Sequence, residues 1–103
     1  MIIARSANIV SAGHSTLYTA SKGGTLQIRA LNAGTSSAVV ELSLTATPES
    51  PAVADKIDIA TLEPRQSLLV SGEPIATGES VVITPSGSNI NLSCRVSGFM
   101  EDA

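Results

Sequence analysis

Hydrophobic and polar residues alternate with a period of two along much of this 103-residue chain. The longest strictly alternating run covers residues 90–96, and its apolar side consists of Ile90, Leu92, Cys94 and Val96. Residues 40–46 alternate as well, so we expect the side that carries Leu42 to be buried and the side that carries Ser43 and Thr45 to face water. A period of two is typical of β-strands with one face in the core and one in solvent.

The same pattern, with turn residues between the segments, predicts nine short strands. They fall at about 2–5, 7–10, 15–20, 25–32, 38–46, 56–61, 67–71, 80–84 and 89–99. Ser71-Gly72-Glu73-Pro74 and Pro85-Ser86-Gly87-Ser88 are typical turn sequences, and the proline-containing stretch 47–54 is expected to be an exposed loop. No segment has helical spacing. We therefore predict an all-β fold, an antiparallel β-sandwich of about eight to nine strands with an Ig-like or jelly-roll-like topology.

Length and composition indicate one folded domain that covers residues 1–103. Hydrophobic residues make up 43% and charged residues 15% of the chain, which excludes a disordered protein. Aromatic residues are nearly absent, so the core must be aliphatic, and a thin aliphatic core favours oligomerisation. Residues 1–10 are apolar and β-prone, and they form either the first strand of their own sheet or an arm that pairs with a neighbouring subunit. Residues 100–103 are expected to form a tail.

The charge of the chain argues against nucleic acids as partners. Six basic residues stand against nine acidic ones, for a formal net charge of −3. Nucleic-acid-binding domains cluster their lysines and arginines, whereas the basic residues here are scattered singly. No apolar run approaches the ~20 residues of a membrane span, and the beginning of the chain lacks the charge-then-apolar order of a signal peptide. We expect an unprocessed protein, made in the cytoplasm, with no nucleic-acid or membrane partner.

Catalytic and metal-binding patterns are weak. His14 lies among serines, but a serine nucleophile also needs a carboxylate that orients the histidine, and no G-x-S-x-G motif is present. We expect an exposed turn histidine, with a small serine hydrolase as the less favoured alternative. Asp55 and Asp58 lack the spacing of a calcium loop. Glu73 and Glu79 are the candidates for a glycosidase pair, but both fall in turn sequences, so we expect solvated acidic turns. The sequence therefore predicts no catalytic residue, no metal site and no cofactor.

Other conspicuous residues are expected to have structural roles. Cys94 lies on the apolar side of its strand, so it is expected to be a buried free thiol. Gly23 and Gly24 precede a strand and predict a tight hairpin turn. Tyr18 and Phe99 are single aromatic residues near strand ends, and we expect them to plug the core or an interface.

With the strands placed, roughly residues 15–99 resemble a class of small virion proteins of tailed bacteriophages. Members open with a motif like L-Y-T-x-P-x-G, which here reads Leu17-Tyr18-Thr19-Ala20-Ser21-Lys22-Gly23. The next strand ends in Asn32, a late turn reads Gly78-Glu79-Ser80-Val81, and the final strand carries Val96-Ser97-Gly98. Ser21 stands where the family has proline, which frees φ at that turn and restores a backbone donor.

The resemblance implies a non-enzymatic structural protein of a phage particle. The implied position is the outside of the capsid, as a decoration or cement protein that stabilises the particle through oligomeric contacts. The alternative is a neck, tail or fibre protein with a receptor- or carbohydrate-binding module. In either position the protein is expected in the virion, assembled in the host cytoplasm. Its expected partners are further copies of itself, as a trimer or another homo-oligomer, and a major capsid or tail protein.

Overall fold

Eight strands and one short 3₁₀ turn make up the computed structural model, which describes residues 1–101. The strands are β1 (Ile2–Ile9), β2 (Ser15–Thr19), β3 (Gly24–Asn32), β4 (Ala38–Thr45), β5 (Lys56–Leu62), β6 (Ser67–Ile75), β7 (Ser80–Ser86) and β8 (Leu92–Met100). The 3₁₀ turn, Val53–Asp55, precedes β5. The described residues contain no helix long and apolar enough to cross a membrane.

The strands form two antiparallel four-stranded sheets, as the alternation predicts. The first sheet has the order β1-β8-β3-β6 and the second the order β2-β7-β4-β5. The pairs are nested along the chain, since β4 pairs with β5, β3 with β6, β2 with β7 and β1 with β8. An eight-stranded double sheet wound in this way is a jelly roll. The jelly-roll alternative is therefore confirmed, and the Ig-like one, which needs a different strand order, is wrong.

Alternating aliphatic side chains from both sheets fill the space between them. Fully or almost fully buried positions include Leu26, Ile28, Val40, Leu42, Val81, Ile83, Leu92 and Val96. Burial of a side chain of this size contributes about 1.5–3 kcal/mol. The apolar side of the run 90–96, including Cys94, is at most 8% exposed. The most regular alternation in the sequence thus faces the core as predicted.

One polar side chain, that of Asn32, is built into the core at the end of β3. It lies on the inward side of its strand and is 1% exposed. Its Nδ2 group donates hydrogen bonds to the carbonyl oxygens of Ser36 (2.9 Å) and Leu62 (2.8 Å), and its Oδ1 atom accepts one from the N–H of Gly34 (3.0 Å). Its backbone bonds to the turn 63–66. Asn32 therefore holds three chain segments together at one end of the sandwich.

The N-terminal segment forms one strand where the sequence predicts two. Pairing between β1 and β8 runs without a break from Ile2 with Phe99 to Ile9 with Leu92, so the predicted gap at Ser6 is wrong. The Ser6 side chain lies on the outer, solvent-exposed face of the sheet, beside Arg95. A small polar residue is tolerated there because its side chain does not have to pack in the core.

The predicted turn 71–74 is also wrong, because β6 continues through it to Ile75. Gly72 adopts a φ of 69° and lies in a β-bulge, where two residues of β6 stand opposite Gln27 of β3. A glycine in this conformation adds a residue to one strand without ending the pairing. Glu73 is consequently a strand residue. β7 similarly extends through Pro85, and β8 begins at Leu92 rather than at residue 89.

Two faces differ from the alternation expected for them. Ser43 and Thr45 are buried (1% and 2% exposed), although the sequence predicts that they face water. The connection 46–55 lies next to this part of β4, and the Oγ1 atom of Thr45 accepts a hydrogen bond from the N–H of Thr47 (3.0 Å). In β5 Ile57 and Ile59 alternate with Asp58, which predicts that the two isoleucines share one face. A β-bulge at Ile57 interrupts this alternation, so Ile57 packs against the core while Ile59 is 58% exposed.

The glycine pair before β3 does not form a hairpin. β2 and β3 belong to different sheets, so the intervening turn crosses from one layer to the other. Gly24 is instead required by the close approach of β8, because a Cβ atom there would overlap the carbonyl oxygen of Phe99 and lie 2.7 Å from Cε of Met100.

The predicted tail 100–103 begins inside the last strand. Met100 ends β8 and is 1% exposed, and the N–H of Glu101 donates to the carbonyl oxygen of Gly23 (2.9 Å). Both residues are held by the first sheet. Residues 102 and 103 of the predicted tail lie outside the described residues.

Candidate interaction surface

His14 lies in the exposed connection between β1 and β2. Its Nδ1 atom is 2.7 Å from Oγ1 of Thr84 in β7. Within residues 1–101, no hydrogen bond or ion pair joins this histidine to a serine or to a carboxylate. The histidine is exposed, as predicted.

Three of the four carboxylates singled out by the sequence accept hydrogen bonds from nearby backbone N–H groups. Oδ2 of Asp55 accepts the N–H of Ala52 (2.8 Å) and closes the 3₁₀ turn, while Oδ1 of Asp58 accepts the N–H of Ile59 (2.8 Å). Oε1 of Glu79 likewise accepts the N–H of Ala76 in the turn before β7 (2.8 Å). In the described part of the chain no three His, Cys, Asp or Glu side chains are grouped as metal ligands.

Cys94 is a buried free thiol, as predicted. Burial raises the pKa of the thiol from 9.0 to about 11. The thiolate is the reactive form of cysteine, so this environment suppresses its nucleophilic chemistry at neutral pH.

The two aromatic residues have opposite environments. Tyr18 is 9% exposed and belongs to the core, with the guanidinium carbon of Arg5 lying 6.0 Å from its ring centre. Phe99 is 65% exposed on the outer face of the first sheet. The first is therefore a core residue, and the second is available for contact with a partner.

A row of three apolar residues and one threonine crosses one end of that outer face. The register places Ile2, Phe99, Thr25 and Pro74 side by side on β1, β8, β3 and β6. All four are exposed, Ile2 to 75%. We call these four residues the end row. An exposed apolar strip of this kind on a small protein is typical of an interaction surface.

Two arginines stand directly opposite each other on the same face. Arg29 of β3 pairs with Arg95 of β8, and both are exposed. Nη1 of Arg95 donates to Oγ of Ser6 (3.0 Å), and the two arginines line a shallow depression of about 220 Å³ with Gln27 and Ser97. No acidic residue occupies an outward position on the four strands of this sheet. Like charges directly across an antiparallel pair destabilise it, so this pair is suited to a partner that supplies negative charge.

Three of the four edge strands formed by residues 1–101 are interrupted by β-bulges. The extra residues are Leu17 in β2, Ile57 in β5 and the segment 71–72 in β6, and Pro74 lies farther along β6. Bulges and prolines are common ways to keep a sheet edge from pairing with another chain. β1, by contrast, is paired regularly along its whole length and contains no proline. Its outer edge is the least protected of the four.

The sequence gives no sign of the end row, and it indicates the edge of β1 only as one of two alternatives for residues 1–10. The alternation in β8 indicates that Phe99 points outward, but it cannot show that Ile2 lies beside it, because their pairing joins the two ends of the chain. Residues 1–10 were expected to be either a first strand or an arm. They form a strand paired within the chain, and pairing of its other edge with a neighbour stays a prediction.

No protein-family model and no curated protein sequence matches this chain. The resemblance to phage virion proteins therefore stays a prediction, and function has to be argued from the surface itself.

Proposed function

We propose that this chain is a non-enzymatic structural protein of a bacteriophage virion, a capsid decoration or cement protein that stabilises the particle. The observation that carries the proposal is the outer face of the first sheet. It combines an exposed apolar row with an arginine pair that has no acidic neighbour on that face. A neighbouring capsid subunit with a matching apolar and acidic surface fits this face.

The rest of the molecule supports a passive, architectural role. Asp55 and Glu79 accept hydrogen bonds from backbone N–H groups in turns, and the thiol of Cys94 is buried. Jelly rolls are common among viral capsid and lectin domains, although a fold alone does not decide a function. Multivalent placement on a particle adds weak single contacts together, so a small face is sufficient for firm attachment.

Cryo-electron microscopy of intact particles of the phage that encodes this chain tests the proposal. We expect jelly-roll density on the outside of the capsid, with the first sheet facing a capsid subunit. Density at the neck or tail would refute the capsid position and support the alternative position. Absence of the chain from purified particles by mass spectrometry would refute the virion assignment altogether.

A charge reversal tests whether the outer face is the docking face. Arg29→Glu places a carboxylate opposite Arg95, so it should stabilise the isolated protein by a few tenths of a kcal/mol up to about 1 kcal/mol and yet weaken binding to particles that lack the protein. Lys56→Glu, an equal charge change on the second sheet, is the control and should leave particle binding unchanged. Equal binding by both variants would exclude the arginine pair from the docking face.

A second candidate function, carbohydrate binding at a tail or fibre, rests on one groove. Phe99 borders an open groove of about 770 Å³ that Thr25, Thr77 and Glu101 also line. A ring, hydroxyls and a carboxylate are groups that can contact a sugar. A glycan array decides this point: specific signals that disappear in Phe99→Ala would favour the carbohydrate-binding module over the cement protein.

A further inference from the structure

The regular outer edge of β1 has the features of a pairing site for another strand. We propose that it binds the same edge of a second copy of this chain, in an antiparallel register centred on Ser6. The proposal deepens the proposed function, on which it rests, by naming the partner through which the virion protein forms its homo-oligomer. The pairing would join two first sheets into one sheet of eight strands.

The available backbone groups follow from the bonds at the start of β1. Met1 and Met100 exchange two hydrogen bonds, since the amino group of Met1 donates to the carbonyl of Met100 (3.0 Å) and the N–H of Met100 donates to the carbonyl of Met1 (2.7 Å). Hydrogen-bonded and non-hydrogen-bonded pairs alternate along an antiparallel ladder. The odd-numbered residues of β1 therefore bond to β8. The N–H and C=O groups of Ile2, Ala4, Ser6 and Asn8 point away from β8. The carbonyl of Ala4 accepts a long, exposed hydrogen bond from Nη1 of Arg5 (3.3 Å), which a second strand would have to displace.

Charge repulsion selects one register among those that these groups allow. Two registers let most of β1 pair, one centred on Arg5 and one centred on Ser6. In the first, Arg5 would lie opposite Arg5 of the second copy, which is unfavourable because like charges would meet in the closely spaced type of pair. In the second, Arg5 lies opposite Ala7 of the second copy, so the two Arg5 residues are diagonal neighbours instead of direct partners and repel each other less. The two Ser6 residues then meet at the two-fold axis.

The register centred on Ser6 also matches the apolar side chains. It places Ile2 opposite Val10 of the second copy, and these two side chains are 75% and 64% exposed in the single chain. It places Ile3, which is buried, opposite Ile9 of the second copy, which is partly buried against the core. Apolar side chains therefore meet on both sides of the sheet at the two ends of the contact, while Arg5 and Ala7, which share the inward side of β1 with Ile3 and Ile9, lie nearer the axis.

A second copy of β1 fits this edge better than any other edge of the molecule. A ring of three subunits, one of the homo-oligomers expected from the sequence, would require β1 to pair with a different strand of the next subunit. The remaining edge strands β2, β5 and β6 each contain a bulge that breaks a continuous ladder. In a two-fold contact both subunits contribute the same regular edge, and the resulting dimer is closed.

Single cysteines placed on β1 test the register in the full chain. Ser6→Cys should yield a covalent dimer under mild oxidation or with a short bismaleimide, because hydrogen-bonded partners have Cα atoms about 5.5 Å apart. Ala4→Cys is the matched control, since its two copies would be offset by four residues, about 14 Å along the strand. The native Cys94 is buried and should contribute no cross-link. Cross-linking of Ala4→Cys in preference to Ser6→Cys would overturn the register.

Sedimentation equilibrium over a concentration series tests the pairing itself. The wild-type chain should form dimers. Ser6→Pro should be monomeric with an unchanged circular dichroism spectrum, because the N–H that it removes points away from β8. Ser6→Lys is a second variant, and it should also be monomeric because it brings two charges together at the axis.

A monomeric wild-type chain, or dimers that persist in a folded Ser6→Pro or Ser6→Lys variant, would overturn the proposed pairing. These results are separable from the virion assignment. A monomer found on the particle by electron microscopy would refute the dimer alone, whereas a dimer absent from particles would refute the virion function alone.

Discussion

Replacing Asn32 by alanine should destabilise the protein far more than replacing Asn8, although the two side chains make similar bonds. The Nδ2 group of Asn32, which is 1% exposed, donates to the carbonyl oxygen of Leu62 in a buried bond and to that of Ser36 in a partly buried one, and its Oδ1 atom accepts the N–H of Gly34. The Nδ2 group of Asn8 donates to Oδ1 of Asn91 (2.7 Å) and to the carbonyl of Leu92 (3.0 Å), but Asn8 is exposed. Burial is the main difference between the two sites.

The expected magnitudes follow from the number of bonds and from access to water. Each intramolecular hydrogen bond contributes about 1 kcal/mol net, and more where its loss leaves a buried partner unsatisfied. Loss of three bonds in Asn32→Ala should therefore cost about 3 kcal/mol. In Asn8→Ala water can replace the lost partners, so we expect less than about 1 kcal/mol.

Urea unfolding followed by far-ultraviolet circular dichroism measures the difference. This probe suits a chain that contains no tryptophan. With a slope of about 1–3 kcal/mol/M for a small domain, the midpoint of Asn32→Ala should fall by about 1–3 M. Both variants should be measured at one low protein concentration, because Asn8 lies on the proposed dimer strand. Free energies of unfolding within about 0.5 kcal/mol of each other would refute the argument that the buried network holds the end of the sandwich.

Three further outcomes are expected. Gly24→Ala should lower the free energy of unfolding by about 1–3 kcal/mol, because its Cβ atom would overlap β8. Gly23→Ala should lower it less, because the nearest atom to its Cβ would be 3.5 Å away. Equal decreases in melting temperature for the two variants would contradict this expectation. Burial raises the pKa of Cys94 from 9.0 to about 11 on folding, so the contribution of the neutral thiol to the free energy of unfolding is complete below about pH 9 and is lost as the pH rises to about 11. Urea titrations at several pH values should show this loss in the wild type and not in Cys94→Ala. The wild-type chain and the His14→Ala variant should both hydrolyse a test ester no faster than buffer alone. Turnover by the wild type that is lost in the variant would establish the hydrolase alternative.

The fold class could be predicted because it depends on local alternation. The period of two in residues 90–96 predicts which side chains point inward, and in β8 those side chains are buried. The errors occur where a bulge shifts the period, as at Gly72 and Ile57, since one extra residue in a strand reverses the faces beyond it. A glycine two residues before a proline, as in Gly72-Glu73-Pro74, also resembles a turn in sequence, although here it lies inside β6.

The candidate surface could not be predicted because it depends on which strands are neighbours. Ile2 and Phe99 both point outward by alternation, but their adjacency results from the pairing of β1 with β8. The same holds for the cross-strand pair of Arg29 and Arg95. That β1 is an edge strand is likewise a property of the sheet order and not of residues 2–9 themselves.

The nested strand order also has a consequence for how the chain folds. Ser43 pairs with Lys56, a short distance along the chain, whereas Ile2 pairs with Phe99. Because the entropy of loop closure increases with separation, the middle hairpin should form early and β1 should be secured last. During synthesis β1 therefore has no strand partner on either edge until β8 has been made. Rapid refolding at high concentration should consequently trap intertwined chains in which β1 has exchanged places between two molecules.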